Sequence, residues 1–477
     1  MRCVYAVIAI AMCRERQSYT AGMSLQSRFR FSCARLVDGW HRNVVVSIDP
    51  AGDIVDITTE DVVTSARLIS GAAICGMPNV HSHAFQRAMA GLAESRGGKR
   101  DSFWTWRERM YSLANALTPD LLNAIAAQLY VELIKSGYTS VCEFHYLHHI
   151  GSAPLQGSQA LIDAAVTSGI ALTLLPTLYE RAGFDQQGPT ELQRKFVLKV
   201  DEFLKLVEHL RAASESSTQL AIGTAFHSLR AVSRASMRSV LEAIPAAVPV
   251  HIHIAEQLAE VESCKKHLGT TPIRWLLDNA EINARWCLVH ATHAAADEAT
   301  AVANSGACVC LCPTTEGNLG DGVFDTKMFG AQGGTYAIGS DSHVSVTPTE
   351  ELRWLEYQQR LARRERNVLT EVAQQSTGEF LWERTARAGA HSSARSAGTL
   401  AVGSKADILV LDTNLPVFAG REPDEMLDTF IFATTAEAVR DVMVGGRWLV
   451  QERKHFAETA IASGYRRAMT KIREAMR

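Results

Sequence analysis

The sequence has no excess of either charge and no apolar run that is long enough to cross a membrane. Its 48 basic and 51 acidic residues leave a formal net charge of −3 over 477 residues. A nucleic-acid-binding surface is therefore not indicated, because such surfaces are strongly basic. The apolar segment Val4–Cys13 is shorter than the roughly 20 residues that a membrane helix needs. These absences predict a globular protein that binds neither nucleic acid nor membrane.

Cysteine is also scarce for a protein held together by disulfides, with ten in the whole chain. Cys308, Cys310 and Cys312 alternate within one apolar run, so they share one face of a predicted strand. Their spacing lacks the two-residue gap of common zinc-binding cysteine pairs. We predict buried, reduced thiols at these positions and a cytoplasmic protein.

The first 25 residues differ from the rest of the chain. Arg2 precedes the apolar segment, and Arg14 and Arg16 follow it. The pattern resembles a secretory signal only faintly, because basic residues directly after the apolar run fit poorly with a cleavage site. We predict that residues 1–25 are an upstream extension of a chain that begins near Met23, and we assign them no function.

Short apolar strands alternate with helical segments between residues 76 and 397. The predicted strands are Ala73–Met77, Thr139–Phe144, Ile170–Pro176, Leu220–Phe226, Val248–Ile254, Trp286–Val289, Ala307–Leu311 and Thr335–Ile338. Helix-like segments such as Leu121–Ser136 and Pro272–Asn279 lie between them. Strands that alternate with helices in this way predict an α/β fold, the (β/α)8 barrel of the TIM type.

Short β runs flank this region on both sides. Asn43–Ile48 is one such run before it, and Ala406–Leu411 is one after it. β segments on both sides of a barrel predict one composite domain built from two distant parts of the chain. We therefore expect a small β-sandwich formed by residues 26–75 and 398–460, followed by a C-terminal helix at residues 461–477.

Histidines stand at the ends of several predicted barrel strands. His81 and His83 are two residues apart, so on a strand both point the same way and can chelate one ion. The pair alone is weak, because roughly 0.5 such H-x-H pairs are expected by chance in this composition, and His251 with His253 is a second example. Position strengthens the case, because His253 closes the fifth strand and Asp341 follows the eighth, where barrel active sites lie. His251 is predicted to be structural.

Three imidazoles and one carboxylate, from His81, His83, His253 and Asp341, form a donor set that suits Zn²⁺. Imidazole also suits iron. Glu256 follows His253 by three residues, and His290 closes the sixth strand. These two residues and Asp341 are the predicted catalytic set for proton transfer. The alternative is that these residues are structural and make hydrogen bonds within the protein core. That explanation would have to hold separately at every strand end.

This arrangement of motifs resembles the amidohydrolase superfamily. The shared features are the H-x-H strand, the H-x-x-E strand, the later His290 and the final Ser340-Asp341 pair. Gly398–Leu409 and the flanking β unit resemble the composite domain of that superfamily. The fourth predicted strand ends in Phe226-His227 and offers no Lys for the carbamate bridge of two-metal members. The resemblance implies a mononuclear deaminase with one zinc ion per chain.

Longer segments are similar to the formimidoylglutamate deiminase family over almost the whole chain from about Arg28. They are Gly76–Glu94, Asp101–Glu108, Glu143–His149, His227–Ala231, Val250–Gln257, Arg285–His293, Cys312–Gly322 and Gly339–Ser345. This set is far more specific than the metal pattern, although Gly317 stands where the family more often has Ala. The resemblance implies a homodimer that releases ammonia from N-formimino-L-glutamate, a small dicarboxylate, in histidine degradation.

The same resemblance implies a set of substrate-binding residues. They are Gln86, Arg107, Tyr146, His227 and Arg230. A glutamate derivative carries two carboxylates, which planar guanidinium groups bind in a bidentate manner. Arg107 lies in the predicted long loop after the first strand, and Arg230 just after the fourth; taken alone, each fits a surface ion pair equally well. Trp104 and Trp106 are predicted to form a wall of the pocket.

Two other interpretations stay open. A deaminase of guanine or of another amino-heterocycle would use the same metal chemistry, but a flat, neutral ring would not need Arg107 and Arg230. A non-catalytic relative would use the barrel as an assembly scaffold. Such relatives typically lose metal ligands, whereas every ligand and proton-transfer position is filled in this sequence.

Overall fold

The computed structural model describes residues 27–59, 66–94, 103–185, 188–371 and 375–476. The predicted extension at residues 1–25 lies outside these ranges. Trp104 lies within them, but its side chain is outside the described part of the structure. Among the described helices, none combines the length and the apolar character that a lipid bilayer would require.

The strands and α-helices alternate through the central part of the chain. The strands are β1 (Ser27–Leu36), β2 (Gly39–Ile48), β3 (Ile54–Thr58), β4 (Arg67–Cys75), β5 (Met77–Ser82), β6 (Tyr138–His145), β7 (Ala171–Leu178), β8 (Leu220–Ile222), β9 (Thr224–Phe226), β10 (Val250–Ile254), β11 (Trp286–His290), β12 (Cys308–Leu311), β13 (Thr335–Ile338), β14 (Ile408–Leu411), β15 (Val439–Val444), β16 (Arg447–Gln451) and β17 (Lys454–His455). The α-helices are α1 (Phe103–Ala116), α2 (Pro119–Ser136), α3 (Leu155–Ser168), α4 (Val200–Ser214), α5 (Arg234–Ala243), α6 (Leu258–Leu268), α7 (Pro272–Asn279), α8 (Ala296–Ser305), α9 (Pro313–Leu319), α10 (Thr326–Ala331), α11 (Pro348–Arg363), α12 (Thr377–Ser392), α13 (Met426–Ala433) and α14 (Glu458–Ala475).

Strands β5 to β13 form a parallel sheet that curls into the predicted barrel. They neighbour one another in chain order. β8 and β9 both pair with β7 and share one position in the sheet, because one strand is interrupted at Gly223. Every residue of β5, β6, β7, β10, β11 and β12 is buried. Strands covered on both faces are often nearly continuous apolar runs. β11 and β12 show this pattern, whereas β5 and β6 also carry several buried polar side chains.

The first and last barrel strands meet at the candidate metal ligands. The amide of His83 donates to the carbonyl of Asp341 at 3.1 Å, and the amide of Asp341 donates to the carbonyl of His81 at 2.9 Å. Gly339 allows this approach, because a Cβ there would lie 2.7 Å from the Cβ of His81. Closing the sheet therefore places residues that are about 260 positions apart in the chain side by side.

The second sheet joins strands from both sides of the barrel. Its order is β17-β16-β15-β14-β4-β1-β2-β3, with β4 antiparallel to β14. Arg395 and the buried Asp407 form an ion pair at 2.8 Å beside β14. A small β unit made from two distant parts of the chain is thus confirmed, and its hydrogen-bonded strands form one continuous sheet.

Two boundaries differ from the sequence-based prediction. The predicted first strand, Ala73–Met77, contains the end of β4 and the first residue of β5, which belong to different sheets. Gly76 separates them and packs against the side chain of Thr139. Arg107 was predicted to lie in a loop, but it lies on helix α1. Periodicity could not separate β4 from β5, because Gly71–Pro78, which contains their junction, has no polar side chain.

Candidate active site

Three imidazoles converge at the C-terminal ends of the barrel strands. The Nε2 atoms of His81 and His83 are 3.1 Å apart, those of His83 and His253 are 3.3 Å apart, and those of His253 and His81 are 2.9 Å apart. Oδ1 of Asp341 lies 3.4 Å from Nε2 of both His81 and His83. All four side chains are buried. The structure brings together the four side chains that the sequence proposed as metal ligands.

Hydrogen bonds on the far side of the rings show that this cluster fits a cation. Nδ1 of His83 lies 3.0 Å from the carbonyl oxygen of Phe144, and Nδ1 of His253 lies 2.9 Å from that of His227. A carbonyl can only accept, so in both rings Nδ1 carries the proton and Nε2 presents a lone pair. Burial and the neighbouring imidazoles lower the pKa of His253 and keep it neutral. Converging lone pairs with carbonyl-oriented rings are the arrangement that a bound metal ion requires.

The proposed proton-transfer residues lie next to this cluster. Nε2 of His290 lies 3.7 Å from Oε1 of Glu256 and 3.8 Å from Oδ2 of Asp341. Its Nδ1 lies 3.3 Å from Oε1 of Glu316, which is buried. Burial opposes the charge on His290, but Glu256 and the other carboxylates raise its pKa to about 10. Burial also raises the pKa of Glu256, to about 7.

The backbone is strained where these side chains project. Ala255, His290, Ala291, Asp341 and His343 all have positive φ values, between 45° and 69°. Such conformations cost about 1–3 kcal/mol each for residues other than glycine, and they cluster at functional sites. The strain follows from turning the chain sharply at the strand ends so that the side chains face the barrel mouth.

Three of the proposed substrate-binding residues pack beside the imidazole cluster. Nε2 of Gln86 donates to the hydroxyl of Tyr146 at 3.2 Å. The ring of Tyr146 lies 5.1 Å from that of His83 and 5.4 Å from that of His227. His227 also contacts the ring of Tyr179 at 4.7 Å. These residues therefore form one side of the space above the imidazoles.

Arg107 and Arg230 lie close enough to affect each other. Burial and the positive charge of Arg230 lower the pKa of Arg107. The guanidinium of Arg107 lies 5.2 Å from the ring centre of Tyr111. Gln193 donates to the hydroxyls of both Tyr111 and Tyr179, at 3.2 Å and 2.9 Å. Two neighbouring, half-buried guanidinium groups favour an anionic ligand.

Four carboxylates near the site were not proposed from the sequence. Glu316 pairs with His290, and Asp321 lies five residues after Glu316 in the chain. Glu260 accepts from the amide of Glu256 at 3.1 Å. Glu143 accepts from the amide of Ala84 at 2.7 Å. Each lies within or beside a segment that resembles the deiminase family. Sequence proximity to those segments was the only available signal, because the contacts of Glu316 and Glu143 join residues that are far apart in the chain.

Two structural interpretations from the sequence are confirmed. Nε2 of His251 lies 3.1 Å from the carbonyl oxygen of Ser392 and is not part of the imidazole cluster. Cys308, Cys310 and Cys312 are buried free thiols, and Cys287 lies in the same cluster of buried residues. Burial raises the pKa of Cys310 well above its ordinary value, so the thiol stays protonated.

Comparisons with known proteins agree with this geometry. The model of the amidohydrolase family matches residues 72–449. The chain is 47% identical over 437 residues to formimidoylglutamate deiminase from Pseudomonas aeruginosa, covering 91% of this chain and 96% of that protein. It is 27% identical to 8-oxoguanine deaminase from the same organism, covering 79% and 81%. A crystal structure of an amidohydrolase from Brucella melitensis superposes with a TM-score of 0.88 at 40% identity, covering 94% of this chain and 100% of that one. The chain therefore belongs to the amidohydrolase family, in the branch that holds formimidoylglutamate deiminase.

Proposed function

We propose that this chain is a hydrolase that converts N-formimino-L-glutamate and water into N-formyl-L-glutamate and ammonia, as a step of histidine degradation. The observation that carries the proposal is the 47% identity, over nearly the full length of both chains, to a relative named for this reaction. The placement of Arg107 and Arg230 supports it, because the substrate carries two carboxylates.

We propose that His81, His83, His253 and Asp341 hold one divalent ion per chain, and that this ion is zinc. Their nitrogen-rich donor set fits zinc, and imidazole is also compatible with iron. A divalent ion held there supplies Lewis-acid chemistry and makes water a sufficiently strong nucleophile at neutral pH. The chain's own residues then have to move protons and hold the substrate.

Proton transfer is assigned to Glu256, His290 and Asp341. Asp341 takes the proton from the attacking water, and the imidazolium of His290, 3.8 Å from Asp341, helps to orient that water toward the formimino carbon. Glu256, 3.7 Å from His290, gives a proton to the nitrogen that departs. The C–N bond then breaks with ammonia as the leaving group, and the carbon keeps the water oxygen as a formyl group. Burial raises the pKa of Glu256 to about 7, where a carboxyl can both hold and release a proton at neutral pH.

The substrate carboxylates are assigned to the basic side of the site. Arg107 comes from α1, after the first barrel strand, and Arg230 follows β9, so the two reach the site from different directions. Nη1 of Arg230 is buried and has no hydrogen-bond partner within the described ranges, so a carboxylate would satisfy it. Tyr146, His227 and Gln86 lie beside them as further hydrogen-bonding groups.

The wider organisation follows the sequence-based assignment. We propose one composite β domain from residues 26–75 and 398–460 around a catalytic domain at residues 76–397. A homodimer and a cytoplasmic location are proposed on family resemblance alone. A solution mass equal to one chain at micromolar concentration would contradict the dimer.

Product analysis tests the proposed reaction. The purified protein, loaded with zinc, is incubated with N-formimino-L-glutamate, and ammonia, N-formyl-L-glutamate, glutamate and formamide are measured. We expect one ammonia and one N-formyl-L-glutamate for each substrate consumed. Glutamate and formamide would show that the other C–N bond is cut. Guanine in a parallel assay separates the rival deaminase, since ammonia from guanine alone would overturn the assignment.

A further inference from the structure

Asp321 is a buried carboxylate that the proposed reaction has not yet used. It follows helix α9 and is only 6% exposed. Its amide donates to the carbonyl of Glu316 at 2.9 Å, and its Oδ1 accepts from the side-chain amide of Gln257, the residue after Glu256. Its Oδ2 is buried and has no hydrogen-bond partner in the described part of the chain. An unsatisfied buried carboxylate oxygen is costly unless a ligand completes it.

The charges around Asp321 are those of the reaction centre. Burial and the nearby charge of Glu256 raise the pKa of Asp321 to about 9, and His290, Glu316 and Asp341 are its other charged neighbours. No Lys or Arg forms an ion pair with Asp321 among the described residues. Two acidic groups thus lie close together where water is largely excluded. A proton or a cation must compensate them.

The positive charge of His290 does not compensate all of these acidic groups by itself. Its Nδ1 faces Glu316 at 3.3 Å, and its Nε2 lies between Glu256 and Asp341. One imidazolium therefore faces three carboxylates before Asp321 is counted. The proposed divalent ion and this imidazolium balance those three carboxylates, so Asp321 is the acidic group that still needs a proton or a cationic ligand.

We propose that Asp321 binds the amidinium group of the substrate beside Glu256, and that it selects a cationic formimino group over a neutral formyl group. This inference rests on the proposed function. An amidinium carries a positive charge and several N–H donors, which match a carboxylate oxygen without a donor. In the N-formyl product an oxygen replaces the charged nitrogen, so the same carboxylate faces an acceptor, and the product binds less tightly than the substrate.

The charge-selective role is tested with Asp321→Asn, which keeps the size of the side chain and removes its charge. We expect the KM for N-formimino-L-glutamate to rise about tenfold or more, the scale of one lost charge-assisted hydrogen bond. The inhibition constant of N-formyl-L-glutamate should not rise and should stay the same or fall, because the Asn side chain can donate to the formyl oxygen that the carboxylate disfavours. Asp297→Asn is the matched control, since Asp297 pairs with Arg274 at the surface and its side chain is 72% exposed.

The outcomes separate this inference from the proposed function. If Asp321→Asn raises the KM of the substrate and the inhibition constant of the product equally, Asp321 has only a structural role and the inference is wrong. If neither value changes, the inference is also wrong. If Asp321→Asn does not fold, Gln257→Ala removes the donor that holds Asp321, and its KM should rise while the inhibition constant stays constant. An equal change of both values in Gln257→Ala would likewise overturn the inference. If the wild-type protein releases no ammonia from N-formimino-L-glutamate, the proposed function fails first.

Discussion

At the scale of single residues, burial determines how Glu256 can act. Its carboxyl is almost enclosed, and burial raises its pKa to about 7. An ordinary glutamate would be fully ionised at neutral pH and would be a poor proton donor. His290 lies 3.7 Å away and has its pKa raised by the same group of carboxylates. Glu256 can therefore gain and lose a proton at neutral pH, while His290 keeps its positive charge.

Replacing Glu256 by Gln tests its role as the proton donor. Glu256→Gln should retain the metal, because Glu256 is not among the converging ligands, but lose about 10²- to 10⁴-fold in kcat. Steady-state kinetics and metal analysis of the same preparation measure both effects. Glu208→Gln, at an exposed position of α4, is the control and should behave like wild type. Near-normal turnover of Glu256→Gln would place the proton donor elsewhere.

Replacing Arg230 by Ala tests recognition of the dicarboxylate. A buried carboxylate that loses its guanidinium partner costs about 3–5 kcal/mol, which corresponds to a loss of about a hundredfold or more in kcat/KM. The metal content should not change, because Arg230 does not contact the imidazole cluster. Arg238→Ala on α5 is the control, since that side chain is 77% exposed. An Arg230→Ala protein with wild-type efficiency would refute the assignment of the substrate.

At the scale of secondary-structure elements, the contact between β5 and the chain after β13 determines whether the site forms. Gly339 lies at this contact, and a Cβ there would lie 2.7 Å from the Cβ of His81 and 2.8 Å from its backbone nitrogen. Backbone atoms cannot move away cheaply. Even one methyl group at this position would therefore separate two chain segments that carry the proposed metal ligands.

Gly339→Ala should lower the free energy of unfolding by about 1–3 kcal/mol, the usual cost of overpacking. Urea unfolding measures the change, and metal content should fall with it. Gly317→Ala is the matched control: Gly317 lies in α9, and its added Cβ would meet only Trp354, at 3.8 Å. That change should be neutral or stabilise by up to about 1 kcal/mol, because Ala favours helix over Gly. Equal effects of the two substitutions would contradict the close packing at Gly339.

At the scale of the whole molecule, the proposed metal site connects strands that are far apart in the chain. His81 comes from β5 and His83 from the residue just after it, His253 comes from β10, and Asp341 from the segment after β13. A ligand that binds only the folded state stabilises it, by about 4 kcal/mol when its free concentration is about a thousand times Kd. An ion at this site would therefore bind both sides of the barrel mouth together.

Removing the metal should lower stability and activity together. Dialysis against a chelator should lower the melting temperature, and added zinc should restore both the melting temperature and ammonia release. Metal analysis of the active protein should give one ion per chain, and two tightly bound ions would contradict the mononuclear site. His253→Ala should lose most of the metal and the activity, and its melting temperature should not respond to the chelator. Full activity of His253→Ala would be incompatible with this assignment.

The sequence by itself determined the alternation of strands and helices, the flanking β unit and the candidate ligands. The strands could be located because buried parallel strands are continuous apolar runs. The ligands could be located because His81, His83, His253 and Asp341 stand at or just after strand ends. Resemblance to known families added Arg107 and Arg230, which no periodicity would indicate.

Only the tertiary structure decided which residues complete the site. Glu316 and Asp321 lie next to His290 and Glu256 because the barrel closes, and contacts of this kind have no local signature in the sequence. The change from β4 to β5 at Gly76 was equally hidden, since Gly71–Pro78 has no polar side chain and the chain changes sheet there without a polar turn. Proton affinities also depend on the folded state, because burial and neighbouring charge arise only when distant strand ends are brought together.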